Sequence, residues 1–214
     1  MRRLVHLVFQ PASRLARLML GEKRLVVDPQ AAEDATAHLP VFTDLDGTRC
    51  EGLWAIVDHL EGAYPEVPLV PEEAAARGET MRWLDWSMTV LGERVTKKIV
   101  FEKANPRFTG ALTRSTPDMN VIRRGREALH EILPKIGETV ERRGNLAGRI
   151  CTIADLALAA HLSALDYFGE VPWDATPAVK EWYVRMKSRP SFRSLLADRV
   201  PGQPPVTLYA ELDF

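Results

Sequence analysis

The chain has 214 residues, 46% hydrophobic and 27% charged, the balance of an ordinary soluble globule. Its 28 Lys and Arg nearly cancel its 29 Asp and Glu, so no bulk charge calls for nucleic acid or an anionic membrane. No apolar run approaches the ~18–20 residues that span a bilayer, and LVHLVF after Arg2 and Arg3 is too short for an export signal. Cys50 and Cys151 show no metal-type spacing and suit a reducing cytoplasm better than a disulfide scaffold.

Leu4 to Phe9 reads as a strand from its β-branched and aromatic content. RLARLML follows, with Leu15, Leu18 and Met19 on one helical face, and Gly21 is expected to end that helix. Leu25-Val26-Val27 restarts a strand, and the intervening length suits a crossover between parallel strands. Pro40 to Thr43 and LDGTRC form a hairpin around Asp46-Gly47, and Leu53, Ile56, Val57 and Leu60 share a helical face after it. The order is β-α-β, then β-β-α.

GAYPEVPLVP carries three prolines and reads as an extended connector. The expected boundaries are 1–62 for the first domain, 63–70 for the linker, 71–200 for an all-helical domain and 201–214 for a tail. Helical patterns run from Glu72 to Lys103, Asp118 to about Arg143, Thr152 to Phe168, Pro177 to Met186 and Ser191 to Arg199. The third is apolar on nearly every side and hence central, and Thr152 with Asp155 has capping-box spacing.

An α/β half followed by an all-α half resembles the glutathione transferase superfamily, which has a thioredoxin-like N-terminal domain. PASRLARLMLGEK matches the stretch where that family places a catalytic Ser, Cys or Tyr, and Leu39-Pro40 matches its cis-proline turn. Glu51-Gly52 stands where most members have Glu-Ser, TIADLALAAHLSALD matches the capped core helix, and WYVRMKSRPSF matches the closing motif. The ending SRPSFRSLLADRVPGQPP…YAELDF resembles a branch of the superfamily that binds the tubulin-like division protein FtsZ. The resemblance implies that fold, a homodimer, and a role in cell division by binding rather than chemistry.

Glutathione chemistry asks for three things, and the resemblance implies their places. Ser13 would stabilise the thiolate near a helix start, although a Ser before an apolar helical run also reads as a helix cap. Leu39 and Pro40 would pair with the peptide, or serve as a structural turn. Glu51 and Gly52 would hold the γ-glutamyl end, or Glu51 would cap a helix; Gly52 lacks the hydroxyl and offers only a backbone N–H. Pro29 to Leu39 is short, and it carries Glu33 and Asp34 but no cation for the glycine carboxylate. No cofactor is therefore expected beyond weakly held glutathione, and no metal.

Arg14 and Arg17 near the same helix start read as an anion site, a solvated face or a partner contact. His161 is expected to be a satisfied core residue, and Asp155 a cap. Trp83 and Trp86, with Met81 and Met88, line a hydrophobic cleft between domains or pack in a core or dimer. Arg123, Arg124 and Arg126 read as a solvated helix face. In the tail, Leu208, Tyr209, Leu212 and Phe214 either fold back or await a partner, with Glu211 and Asp213 as an acidic rim. Two functions remain open: a non-catalytic FtsZ-binding protein, or an active glutathione transferase working on a hydrophobic electrophile through Ser13.

Overall fold

The computed structural model describes residues 1–32, 38–110 and 116–212; Glu33, Asp34, Asp213 and Phe214 lie outside the described residues. β1 (Arg2–His6), α1 (Pro11–Glu22) and β2 (Val27–Ala31) form a parallel crossover unit, with Leu4 opposite Pro29. β3 (Val41–Thr43) and β4 (Arg49–Glu51) add antiparallel strands, giving the order β2-β1-β3-β4, and α2 (Leu53–Ala63) follows. The hairpin turns at Gly47, whose φ of 90° suits glycine.

Both parallel strands are displaced from the sequence expectation. β1 ends at His6 because the next amide, that of Leu7, donates to Ser13 Oγ at 3.2 Å. Phe9 then packs against Tyr167 and Phe168, at ring separations of 4.8 and 5.0 Å. β2 begins at Val27 and contains Pro29, which an edge strand tolerates because one side of its backbone needs no donor. α1 ends at Glu22, one residue past Gly21; a Cβ added at Gly21 would come within 2.8 Å of the Ser191 backbone, and Arg24 takes the positive φ beyond the helix end.

The connector is pinned rather than loose. Lys23 Nζ donates to the carbonyls of Tyr64 and Val67 and pairs with Glu61, whose other oxygen accepts the amides of Leu69 and Val70. Beyond it, α3 (Ala74–Trp86), a π-helical segment (Ser87–Thr96) and α4 (Lys97–Lys103) continue one into the next. The sequence pattern predicts this rod but not its widened middle. α5 (Met119–Arg143) is capped by Asp118, which accepts the amides of Asn120 and Val121.

α6 (Ile153–Tyr167) is buried along its whole length, which explains its near-uniform apolarity. Thr152 and Asp155 form the expected capping box, and Asp155 also accepts the Leu146 amide at 2.9 Å. α7 (Pro177–Lys187) and α8 (Arg193–Leu196) complete the helical half, with a 3-10 turn at Pro190–Phe192 between them. One core runs through both halves: α1 packs on α6, and Glu22 clamps Arg189 by two bonds of 2.7 Å. Among the described residues, no helix is long and apolar enough to cross a membrane.

The Gly21–Ser191 approach leaves no room for a methyl group. Gly21→Ala is expected to lower stability by about 1–3 kcal/mol, read as a fall in the urea midpoint at unchanged slope. An unchanged midpoint would contradict the contact.

Candidate functional site

The start of α1 is where the transferase chemistry is expected. The helix begins at Pro11, whose missing amide donor costs nothing there, so Ser13 is its third residue and not its cap. Its hydroxyl accepts the Leu7 amide and donates to Gln10 Oε1 at 2.8 Å, with no exposed surface. Ser13 is committed to holding the end of β1 against the helix.

The Leu39–Pro40 peptide is cis. Pro40 lends its carbonyl to the Gly52 amide at 2.8 Å, so the N–H that the missing hydroxyl would leave for a ligand is already used. Gly52 has φ 81° and ψ 162°, a conformation that residues with side chains rarely adopt, so a serine here would be strained. Glu51 does not cap α2. Its exposed carboxylate pairs with Arg49 at 2.9 Å, two strand residues back and so on the same face.

Arg14 corrects the expectation of a solvated or partner-facing cation: its side chain is fully enclosed. Nε donates to Ser163 Oγ at 2.8 Å, Nη1 to the Val8 carbonyl at 2.9 Å and to Asp198 at 3.2 Å, and Nη2 to the Tyr209 hydroxyl at 2.6 Å. Burial works to lower its pKa, but the field of Tyr209 and Asp198 outweighs it and keeps the guanidinium charged. Arg17 is engaged too, donating to both carboxylate oxygens of Asp198 and to the Ser194 carbonyl.

Trp83, Trp86, Met81 and Met88 do not share a cleft. The two tryptophans stand edge to face at 5.4 Å over Ile132 and Ile136 of α5, in a groove of about 440 Å³ rimmed by Arg82, Arg94 and Lys135. Met88 faces a smaller cleft of about 170 Å³ with Gln10, Gly92, Lys97, Phe101 and His161, and Met81 borders the linker. Only the smaller cleft adjoins the start of α1.

His161 is not fully satisfied. Nδ1 lies 2.7 Å from Thr96 Oγ1, while Nε2 is buried and has no hydrogen-bond partner among the described residues. The π segment sets Gly92 against the ring, where an added Cβ would stand 3.6 Å from His161 Cε1. Of the basic cluster on α5, Arg126 grips the buried Glu170 with bonds of 2.7 and 2.8 Å. No group of three His, Cys, Asp or Glu that could hold a metal occurs among the described residues.

The tail combines both expectations. Tyr209 has no exposed surface and its hydroxyl donates to the Leu195 carbonyl at 2.8 Å, whereas Leu208 and Leu212 are 56% and 42% exposed and Glu211 is exposed.

Burial pushes His161 down to about 3 and, with the Arg17 charge, His6 down to about 4. Both are neutral in the folded chain but take up a proton near pH 6.5 when unfolded, so the stability they lend is lost as pH falls below that value. Each accounts for a slope of about 1.4 kcal/mol per pH unit below pH 6.5. The urea midpoint should fall from pH 7 to pH 5, and His161→Gln should flatten that fall; parallel wild-type and variant curves would contradict it.

Residues 98–190 match the family described as glutathione S-transferase, C-terminal domain. Over 228 positions the chain is 40% identical to FtsZ-localized protein A of Caulobacter vibrioides strain NA1000, an alignment covering 100% of this chain and 98% of that one. A crystal structure of a glutathione S-transferase from Rhodospirillum rubrum F11 superposes with a TM-score of 0.93 at 39% identity, covering 100% of both chains. The structure of FzlA from C. crescentus gives 0.92 at 38% identity, covering 100% of this chain and 99% of that one.

Proposed function

This chain belongs to the glutathione S-transferase superfamily and groups within it with FtsZ-localized protein A, and on that premise we propose that it is a non-catalytic, cytoplasmic cell-division protein that binds FtsZ. The observation that carries this reading is the enclosed Ser13 hydroxyl, with both its hydrogen bonds made inside the protein. The hydroxyl's one proton is given to Gln10 Oε1, so a thiolate would have to displace Gln10 to receive it. The pairing of Glu51 with Arg49 and of the Gly52 amide with Pro40 supports the same conclusion for the γ-glutamyl end. Losing a hydrogen bond to a charged ligand group costs roughly 1.5–3 kcal/mol, or one to two decades of affinity.

The surface proposed for FtsZ is the exposed side of the tail: Leu208, Glu211 and Leu212. Arg14 and Tyr209 support it from inside and do not touch the partner. A second copy is proposed to seat on the Trp83–Trp86 groove, whose apolar floor of Ile132 and Ile136 it would cover. Two tails on one dimer would then engage neighbouring filament subunits and gain avidity without new contacts.

Deleting the tail is a poor test, because it would strip Tyr209 from the core. Leu208→Asp with Leu212→Asp should instead leave the urea midpoint unchanged within about 0.5 kcal/mol, since both side chains are exposed. The same protein should lose co-sedimentation with FtsZ filaments while light scattering still reads a dimer. Undiminished co-sedimentation would reject the tail as the contact, and a monomeric wild type would reject the groove.

One observation favours the transferase reading: the 170 Å³ cleft beside the start of α1, with His161 in its lining. Calorimetry with reduced glutathione separates the two. Millimolar or weaker binding is expected, and a micromolar site with turnover lost in Ser13→Ala would establish an enzyme.

A further inference from the structure

The tail is built into the body before any partner arrives. Val206 donates its amide to the Tyr167 carbonyl at 3.1 Å, and Tyr167 donates its hydroxyl to the Gln203 carbonyl at 2.7 Å. The Gln203 side chain bridges the Lys103 carbonyl and the Asn105 amide, both at 2.8 Å, so the segment is fixed to the end of α4 as well as to α6. Tyr209 then enters the body, its ring edge-on to Tyr167 at 5.0 Å and its hydroxyl between Arg14 and the Leu195 carbonyl. Withdrawing it would leave a fully buried guanidinium short of a partner, which is among the costly defects a protein interior can carry.

The residues on either side of this anchor behave oppositely. Leu208 and Leu212 stand in solvent, and Glu211 with them. A disordered tail that folds onto its partner loses conformational freedom at that moment, whereas a docked one does not. Resting on the FtsZ reading above, we infer that residues 206–212 are a preformed knob: FtsZ takes Leu208 and Leu212 in an apolar groove edged by a cation facing Glu211, and Tyr209 stays in its slot throughout. The tail is thus a rigid epitope, and Tyr209 a positioning residue that acts through the geometry of its neighbours.

Hydrogen exchange on the full chain, alone and with FtsZ filaments, tests this. The Val206 and Tyr209 amides, which donate to the carbonyls of Tyr167 and Val206, should be protected by about 100-fold or more in the free chain and remain so in the complex. Tyr209→Phe keeps the ring and both leucines but loses the hydroxyl; it should lower that protection and weaken FtsZ binding by about tenfold. Unprotected amides in the free chain, or protection lost when FtsZ is added, would overturn the inference through its geometry. So would a Tyr209→Phe protein that loses protection yet binds as tightly as the wild type. Protected amides without FtsZ binding would overturn it through its partner, which tells the two failures apart.

Discussion

The guanidinium of Arg14 sits in the seam where α1, α6, the end of α8 and the tail meet, with no access to water. Taking such a charge out of water costs several kcal/mol, roughly, and is tolerable only where its donors are matched. Here the matches come from four places: the Val8 carbonyl in the first domain, Ser163 on the central helix, Asp198 after α8, and Tyr209 in the tail. The planar fork of arginine fits this arrangement, and a lysine ammonium would not. Each partner is therefore held by the same requirement, and a shift in any one of them exposes an unpaired buried donor.

This constraint bears on function through the start of α1. Ser13, which the transferase chemistry would use, lies next to the seam and is held inside the protein. Ser13 anchors the end of β1, and Arg14 anchors the tail on the next residue of the same helix. Gly52 gives its amide to Pro40, and Glu51 its carboxylate to Arg49. Ser13 and Arg14 are internal fasteners, and the tail that Arg14 secures presents Leu208 and Leu212 outward. The cleft beside the start of α1 is small, about 170 Å³, and His161 lies in its lining.

Much of the architecture was legible because it follows from neighbouring residues. The Asp46-Gly47 turn, the caps at Asp118 and Thr152, and the apolar periodicities of α2, α5, α6 and α7 are local signals, and the elements stand within a residue or two of where they point. Where sequence reading slipped, a distant contact was responsible. Gly21 marks the end of α1 to within a residue, but only the fold shows that it also serves the approach of Ser191, 170 residues later by the numbering. Ser13 was expected at a helix cap or a thiolate, and the Leu7 amide claims it.

By itself, the sequence determined the two-part fold, the family and the presence of an unusual apolar-acidic ending, since these rest on patterning and on ordered short motifs. Only the tertiary structure decided that Arg14 is inside, that Tyr209 is an anchor between two exposed leucines, and that the Ser13 hydroxyl is enclosed. The physical reason is separation along the chain: Arg14 meets Asp198 and Tyr209 across 184 and 195 positions. No periodicity distinguishes an arginine that faces water from one that faces such partners, because the difference lies wholly in what the fold brings to its tip.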